Sequence, residues 1–249
     1  MTRSRPLTRL YSDLPLGVAK TVRLFGSVDH YVRKVLRGRP GEHLLLFNDR
    51  DGEWRVRIKV VHTDCIDTLC VERRAFPDKL PDVWLLFAPL KKAPTNYVVE
   101  KATELGVSRI QPVSTQYTNT SRVSLRRLRN VAIESTEQCG GISIPQVRPL
   151  EPLKSVLEHW PSNRVLFHCD ETMLRWSLPD PGLGPTDRKA LLVGPEGGFS
   201  PEERDLLRSK DFVAPLALGS RILRAETAVA VALAIVHSSV SGKKPARRR

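Results

Sequence analysis

The chain has 249 residues, 41% of them hydrophobic, and carries 40 Lys and Arg against 27 Asp and Glu for a formal net charge of +13. That apolar share supports a packed core and excludes a disordered chain, while the positive excess favours polyanionic partners, whose phosphates release counterions on binding. The four cysteines, at 65, 70, 139 and 169, form no Cys-x-x-Cys pair and have no histidines at metal spacing, which excludes a zinc site or a disulfide scaffold and points to reduced thiols and the cytoplasm.

The basic start, Met1 to Pro6, has no apolar signal core behind it. Short strands and turns then alternate. Thr21–Phe25 and Leu44–Phe47 are strand-like, and Asp67–Glu72 reads as another strand. Over Trp54–Val60 a period of two sets Trp54, Val56, Ile58 and Val60 on one face and Arg55, Arg57 and Lys59 on the other. A short helix is predicted over Asp29–Leu36. Its Arg33 and Lys34, with Arg37, make a basic surface that contacts RNA or simply faces solvent. Residues 1–76 thus predict a small β-barrel.

A proline-bracketed linker over residues 77–82 follows, and then strands alternate with helices over residues 83–241. Strands are predicted at Val83–Phe87, Arg109–Val113, Arg164–His168, Ala190–Val193 and Val213–Leu218. Helices are predicted at Pro94–Leu105, Leu125–Gln138, Pro201–Ser209 and Ala225–Ser238. Val98, Ala102 and Leu105 share one face of the first, which Gly106 stops. In the run from Arg122 to Arg129, the apolar Val123, Leu125 and Leu128 leave Arg122 and Arg126 exposed as further candidate RNA contacts. Mostly apolar strands alternating with helices predict an α/β domain with a mainly parallel sheet. The apolar stretch in the last helix is too short to span a bilayer, and residues 242–249 form a basic tail.

Ligands of open α/β sheets bind beyond the carboxyl ends of strands. Two such ends are candidates. After Leu191–Val193 come Gly194-Pro195-Glu196-Gly197-Gly198, then Ser200 as N-cap, Pro201 and Glu203 in a capping box. The glycines permit positive φ and close backbone approach to a ligand. After Leu216–Leu218 come Gly219-Ser220-Arg221-Ile222-Leu223-Arg224, then Glu226 and Thr227 at the start of an apolar helix. Charges packed around a buried helix start must pair or act. The glycine spacing is not that of a dinucleotide fold, and no Gly-Lys-Ser/Thr follows.

Taken with Glu100-Lys101-Ala102-Thr103-Glu104-Leu105-Gly106-Val107 and Glu134-Ser135-Thr136-Glu137-Gln138-Cys139-Gly140, these two turns resemble the RsmE family of SPOUT methyltransferases. The resemblance spans nearly the whole chain and implies a homodimer without metal or membrane. Each subunit would join an N-terminal PUA-like barrel to a trefoil-knotted α/β domain. It implies methylation of N3 of a uridine in 16S ribosomal RNA, during small-subunit maturation, from S-adenosylmethionine. By the same resemblance, the cofactor is held by Leu192, Gly194, Glu196, Gly197 and Gly198, by Leu218, Gly219, Arg221, Ile222, Leu223 and Thr227, and by His168 at a third wall. Chemistry on uracil N3 needs a proton acceptor and stabilisation of a developing anion. Arg224 is the candidate for the electrostatic role, and Glu226 or Glu137 for the proton. The family usually carries arginines where this chain has Gly141 and Gln116-Tyr117. The alternatives are a paralogue acting on another RNA and a non-catalytic ribosome-assembly factor that kept the fold.

Overall fold

The computed structural model describes residues 5–120, 122–173 and 188–238, so the tail over 242–249 lies outside the described residues. The chain forms two compact units, Met1–Lys79 with Thr136–Ile144, and Leu80–Ser135 with Pro145–Arg249. No helix among the described residues is long and apolar enough to cross a membrane.

In the first unit, β1 (Arg9–Tyr11), β2 (Thr21–Phe25), β3 (His43–Asn48), β4 (Gly52–Val61) and β5 (Cys65–Ala75) form one sheet in the order β1-β3-β4-β5-β2. β1 pairs parallel to β3, and the other ladders are antiparallel. Alternation drives the packing: Trp54, Val56 and Ile58 are buried with Val22, Leu24, Leu44 and Leu46 in one core. Val60 departs from the expected pattern and is exposed, because the β4–β5 register shifts between Ile58 and Val60 and turns its side chain out. The expected helix begins earlier, as α1 (Gly26–His30), and its second half, Tyr31–Val35, winds as a π-helix.

β1 has no hydrophobic repeat to announce it. Arg9 secures it instead: the guanidinium donates to the carbonyls of Thr136, Glu137 and Gly141, pairs with Glu53 at 2.6 Å and lies 3.7 Å over the Phe47 ring. Glu137 Oε1 accepts the Tyr11 N–H at 2.8 Å.

The second unit holds β6 (Val83–Phe87), α2 (Lys92–Glu104), β7 (Arg109–Ser114), α3 (Leu125–Cys139, whose last turn belongs to the first unit), β8 (Gln146–Val147), β9 (Glu151–Pro152) and α4 (Leu153–Glu158). β10 (Val165–Cys169), β11 (Lys189–Val193), α5 (Pro201–Arg208), β12 (Val213–Leu216) and α6 (Ala225–Ser238) complete it. The seven-stranded sheet runs β12-β10-β11-β6-β7-β8 with β9 beside β7, and its described ladders are parallel, as the alternating elements predict. On one face Leu86, Leu166 and Leu192 pack with Leu153 and Leu157 of α4, Phe199, and Leu207 of α5. α2 and α6 pack against each other, and α6 against β11. Leu105 and Leu125 fall at helix ends and are exposed, unlike the expected Val98, Ala102 and Leu128, which are buried.

Candidate functional site

The carboxyl ends of β10, β11 and β12 and the start of α6 surround a cavity of about 280 Å³. β10 contributes Cys169 and the following Asp170, Glu171 and Met173; β11 contributes Val193 and its turn Gly194, Pro195, Glu196 and Gly198. From β12 and its turn come Leu216, Leu218, Gly219, Arg221, Ile222, Leu223 and Arg224. Two turns about two dozen residues apart in sequence thus wall one space, because a parallel sheet brings successive strand ends to the same edge.

The glycine turn is shaped by its protein neighbours. A β-carbon on Gly194 would stand 2.7 Å from the buried Phe199 ring, and one on Gly197 3.3 Å from Tyr117. Gly198 has φ +71°, and a β-carbon there would collide with the Glu171 carboxylate. The expected capping box is present. Ser200 Oγ accepts the Glu203 N–H at 3.2 Å, and Glu203 Oε2 accepts the Ser200 N–H at 3.0 Å. The other Glu203 oxygen accepts the Gln116 N–H at 2.8 Å. That bond ties the turn after β7 to the start of α5, and a bond of 2.9 Å from Thr115 N–H to Thr118 Oγ1 tightens the turn itself.

Three carboxylates stand in the cavity wall. Glu171 is fixed by Arg204 at 2.8 Å. Asp170 accepts the Thr172 N–H and hydroxyl at 3.0 and 2.6 Å; burial opposes its charge, but these bonds hold its pKa below the ordinary value. Glu196 is exposed. Burial, followed by the nearby Glu171 charge, pushes the Cys169 thiol up to about 12, so this wall presents a neutral S–H.

A model of the RNA methyltransferase domain matches residues 78–237, and one of the RNA methyltransferase PUA domain matches residues 30–64. A relative in Rickettsia conorii, ribosomal RNA small subunit methyltransferase E, is 32% identical over 213 residues, 83% of this chain and 85% of that one. The chain belongs to the RNA methyltransferase family. Its fold is similar to a crystal structure of ribosomal RNA small subunit methyltransferase E from Neisseria gonorrhoeae bound to S-adenosylmethionine, with TM-score 0.84 and 26% identity over 93% of this chain and 97% of that one. A Legionella pneumophila methyltransferase solved with the same cofactor gives TM-score 0.82 and 27% identity, over 95% and 98% of the two chains. The parallel-sheet α/β domain with a PUA domain before it is therefore the architecture of this family member.

Within this methyltransferase domain the predicted residues separate. Gly194, Glu196, Gly198, Leu218, Gly219, Arg221, Ile222, Leu223 and Arg224 line the cavity. Gly197 does not, although both its neighbours do. His168 and Leu192 turn away from it. Strand side chains alternate, and Cys169 and Val193, one residue further on, take the cavity side. Leu192 joins the core under α4 and α5, and His168 packs edge-on against Phe199 at 5.0 Å. His168 Nε2 is buried without a hydrogen-bond partner, and burial holds its pKa below the usual histidine value.

The charges at the start of α6 are not buried as expected. Arg221, Arg224 and Thr227 are exposed and Glu226 is half-buried, because the turn opens onto the cavity mouth. Neither Glu226 nor Thr227 lines the cavity. Glu137 belongs to the first unit, where it holds the Tyr11 N–H. Of the RNA candidates, Lys34, Arg37, Arg122 and Arg126 are exposed, whereas Arg33 is paired with the buried Asp29 at 2.7 Å. Sequence reasoning missed Cys169, Asp170 and Glu171. Their signal is their place at the end of a strand in a parallel sheet.

Proposed function

We propose that the chain transfers a methyl group from S-adenosylmethionine to N3 of a uridine in 16S ribosomal RNA. The observation that carries this reading is the cavity in which the turns after β11 and β12 meet, in a chain whose relatives include a ribosomal RNA methyltransferase solved with that cofactor. The lining suits the molecule. Val193, Leu216, Leu218, Ile222 and Leu223 offer apolar walls for an adenine, and Asp170, Glu171 and Glu196 offer negative charge for a ligand with two cationic centres. Bound S-adenosylmethionine supplies a methyl group already activated on sulfonium, so the protein's task is alignment and management of the N3 proton.

Arg224 lines the cavity, is exposed at its mouth and stands at the entry to α6. In this reading its guanidinium stabilises the negative charge that develops on uracil as N3 loses its proton. Glu226, two residues on and half-buried in the first turn, orients the base or accepts that proton. Glu137, the other candidate for the proton, accepts the Tyr11 N–H in the first unit. The target uridine is presented unpaired, since N3 is hidden in a Watson–Crick pair. Residues 1–76 form the RNA-binding domain, with Lys34 and Arg37 on its basic surface and Arg122 and Arg126 adding contacts from residues 83–241. Two chains act as a homodimer.

Mass spectrometry of 16S RNA from cells with and without the protein tests the substrate: loss of one N3-methyluridine is expected, and unchanged methyluridine content overturns it. Arg224→Ala is expected to lower methyl transfer while leaving S-adenosylmethionine affinity within a few-fold; near-normal turnover removes Arg224 from the mechanism. A chain that binds no S-adenosylmethionine at near-millimolar concentration is an assembly factor instead.

A further inference from the structure

The α/β unit contains a second cavity, of about 380 Å³, on the face of the sheet that packs against α4. Its wall takes Trp84 and Arg109 from the beginnings of β6 and β7, Arg148 and Glu151 from the segment around β9, and His159 and Trp160 from the end of α4.

The arginines here are unequal. Arg109 and Arg164 each lie 3.6 Å from the centre of the Trp84 ring. Arg164 is anchored through both terminal nitrogens, donating to the Asp82 carboxylate at 2.7 Å and to the carbonyls of Asp82 and Lys189 at 2.9 Å. Arg109 has no comparable partner. Among the described residues neither Arg109 nor Arg148 has a carboxylate within ion-pair distance. Glu151 is the one acid in the wall. Burial, then the charges of Arg148 and Arg164, hold the Arg109 pKa below its ordinary value, with Asp82 and Glu151 acting the other way. Two guanidiniums lining one recess against a single carboxylate give it a net positive charge, with Arg109 half-buried and Arg148 at the solvent-exposed rim. The Trp84 ring restrains the Arg109 guanidinium at 3.6 Å, and a guanidinium fork suits an oxyanion.

We propose that this second cavity binds a phosphate group, carried by a free mononucleotide or by the backbone of an RNA strand, with Arg109 and Arg148 as donors. Guanidinium forks match the geometry of phosphate oxygens and hold them through charge-assisted hydrogen bonds. The sheet separates this site from the candidate methyl-transfer cavity, so the two are independently testable.

Trp84 and Trp160 make the site observable through their indole N–H resonances in the full-length protein. Inorganic phosphate, uridine monophosphate and a short uridine oligonucleotide are titrated in turn, with acetate as the carboxylate control. Saturable shifts of both resonances are expected, and Arg109→Gln and Arg148→Gln are each expected to weaken the response roughly ten-fold or more. S-adenosylmethionine affinity reports that each variant is folded. Arg148 is exposed at the rim, so Arg148→Gln carries the test if Arg109→Gln disturbs the Trp84 stack. A response to the small phosphates assigns the site to free anions, and a response to the oligonucleotide alone assigns it to RNA backbone. No saturable shift with any of the three, an equal response to acetate, or undiminished affinity in Arg148→Gln overturns the proposal.

Discussion

Glu203 accepts the backbone N–H of Gln116 at 2.8 Å across 87 positions of sequence while closing the capping box at Ser200 with its other oxygen. One side chain thereby sets both the start of α5 and the turn after β7. Ser200→Ala and Glu203→Ala should each cost about 1–2 kcal/mol in denaturant unfolding, the range for lost caps. Because both residues serve one box, the double variant should cost less than the sum. Glu203→Ala alone should also speed hydrogen exchange at Gln116.

The glycines of the cofactor turn should fail for different reasons. A methyl on Gly194 meets Phe199, which is 1% exposed and has no room to retreat. Gly194→Ala should destabilise the fold by about 1–3 kcal/mol, as overpacking does, and weaken S-adenosylmethionine binding. Adding Phe199→Leu should restore part of the binding. A double variant no better than Gly194→Ala would show that the glycine is needed for the ligand alone.

The cysteines should differ in reactivity. Cys139 is exposed, whereas Cys169 sits in the cavity wall with its thiol pushed up to about 12. Iodoacetamide at pH 8 should modify Cys139 quickly and leave Cys169 intact, since the thiolate is the nucleophile. Peptide mapping after timed quenching reads the order directly.

Stability should fall on the acid side in two stages. His168 and His237 are held below the usual value of 6.5 by burial. Below that pH the unfolded chain takes up protons that the folded chain refuses, so stability drops; above it both states are neutral and the effect vanishes. Asp51 and Asp67 are held at about 2, first by hydrogen bonds from Arg50 and Arg23 respectively. Their contribution is present above 3.8 and is lost as pH falls toward 2. Urea melts at pH 7.5 and 5.5 test the first stage, and His168→Gln should narrow the difference between them.

Legibility in the sequence followed the reach of the forces involved. The alternation from Trp54 to Ile58, the apolar strands β6, β10 and β11, and the uninterrupted helix Ala225–Ser238 depend on neighbours close in sequence, and each could be read directly. The capping box at Ser200 is likewise local. β1 was not legible because Arg9 holds it through carbonyls more than a hundred positions away. α4, with 6 residues, is too short to show a helical repeat. The two turns of the cavity could be located, but not which face of β10 and β11 would meet them. Period-two alternation separates His168 from Cys169 without saying which side the chain returns on. The reasons for the glycines lay in Phe199, Tyr117 and Glu171, whose approach is a matter of three dimensions.

The first unit is not a continuous stretch of chain: Thr136–Ile144 belongs to it. Those residues supply the carbonyls that Arg9 grips and the carboxylate that receives the Tyr11 N–H. A ribosome delivers the amino terminus first, so when residue 79 emerges the opening strand has β3, Glu53 and Phe47 to hold it but not these later carbonyls and carboxylate. It waits through the synthesis of β6, α2, β7 and most of α3. The last clamps on the oldest strand are thus among the later residues made, and a polypeptide halted before residue 136 would carry that strand paired but with its Arg9 carbonyl contacts unmade.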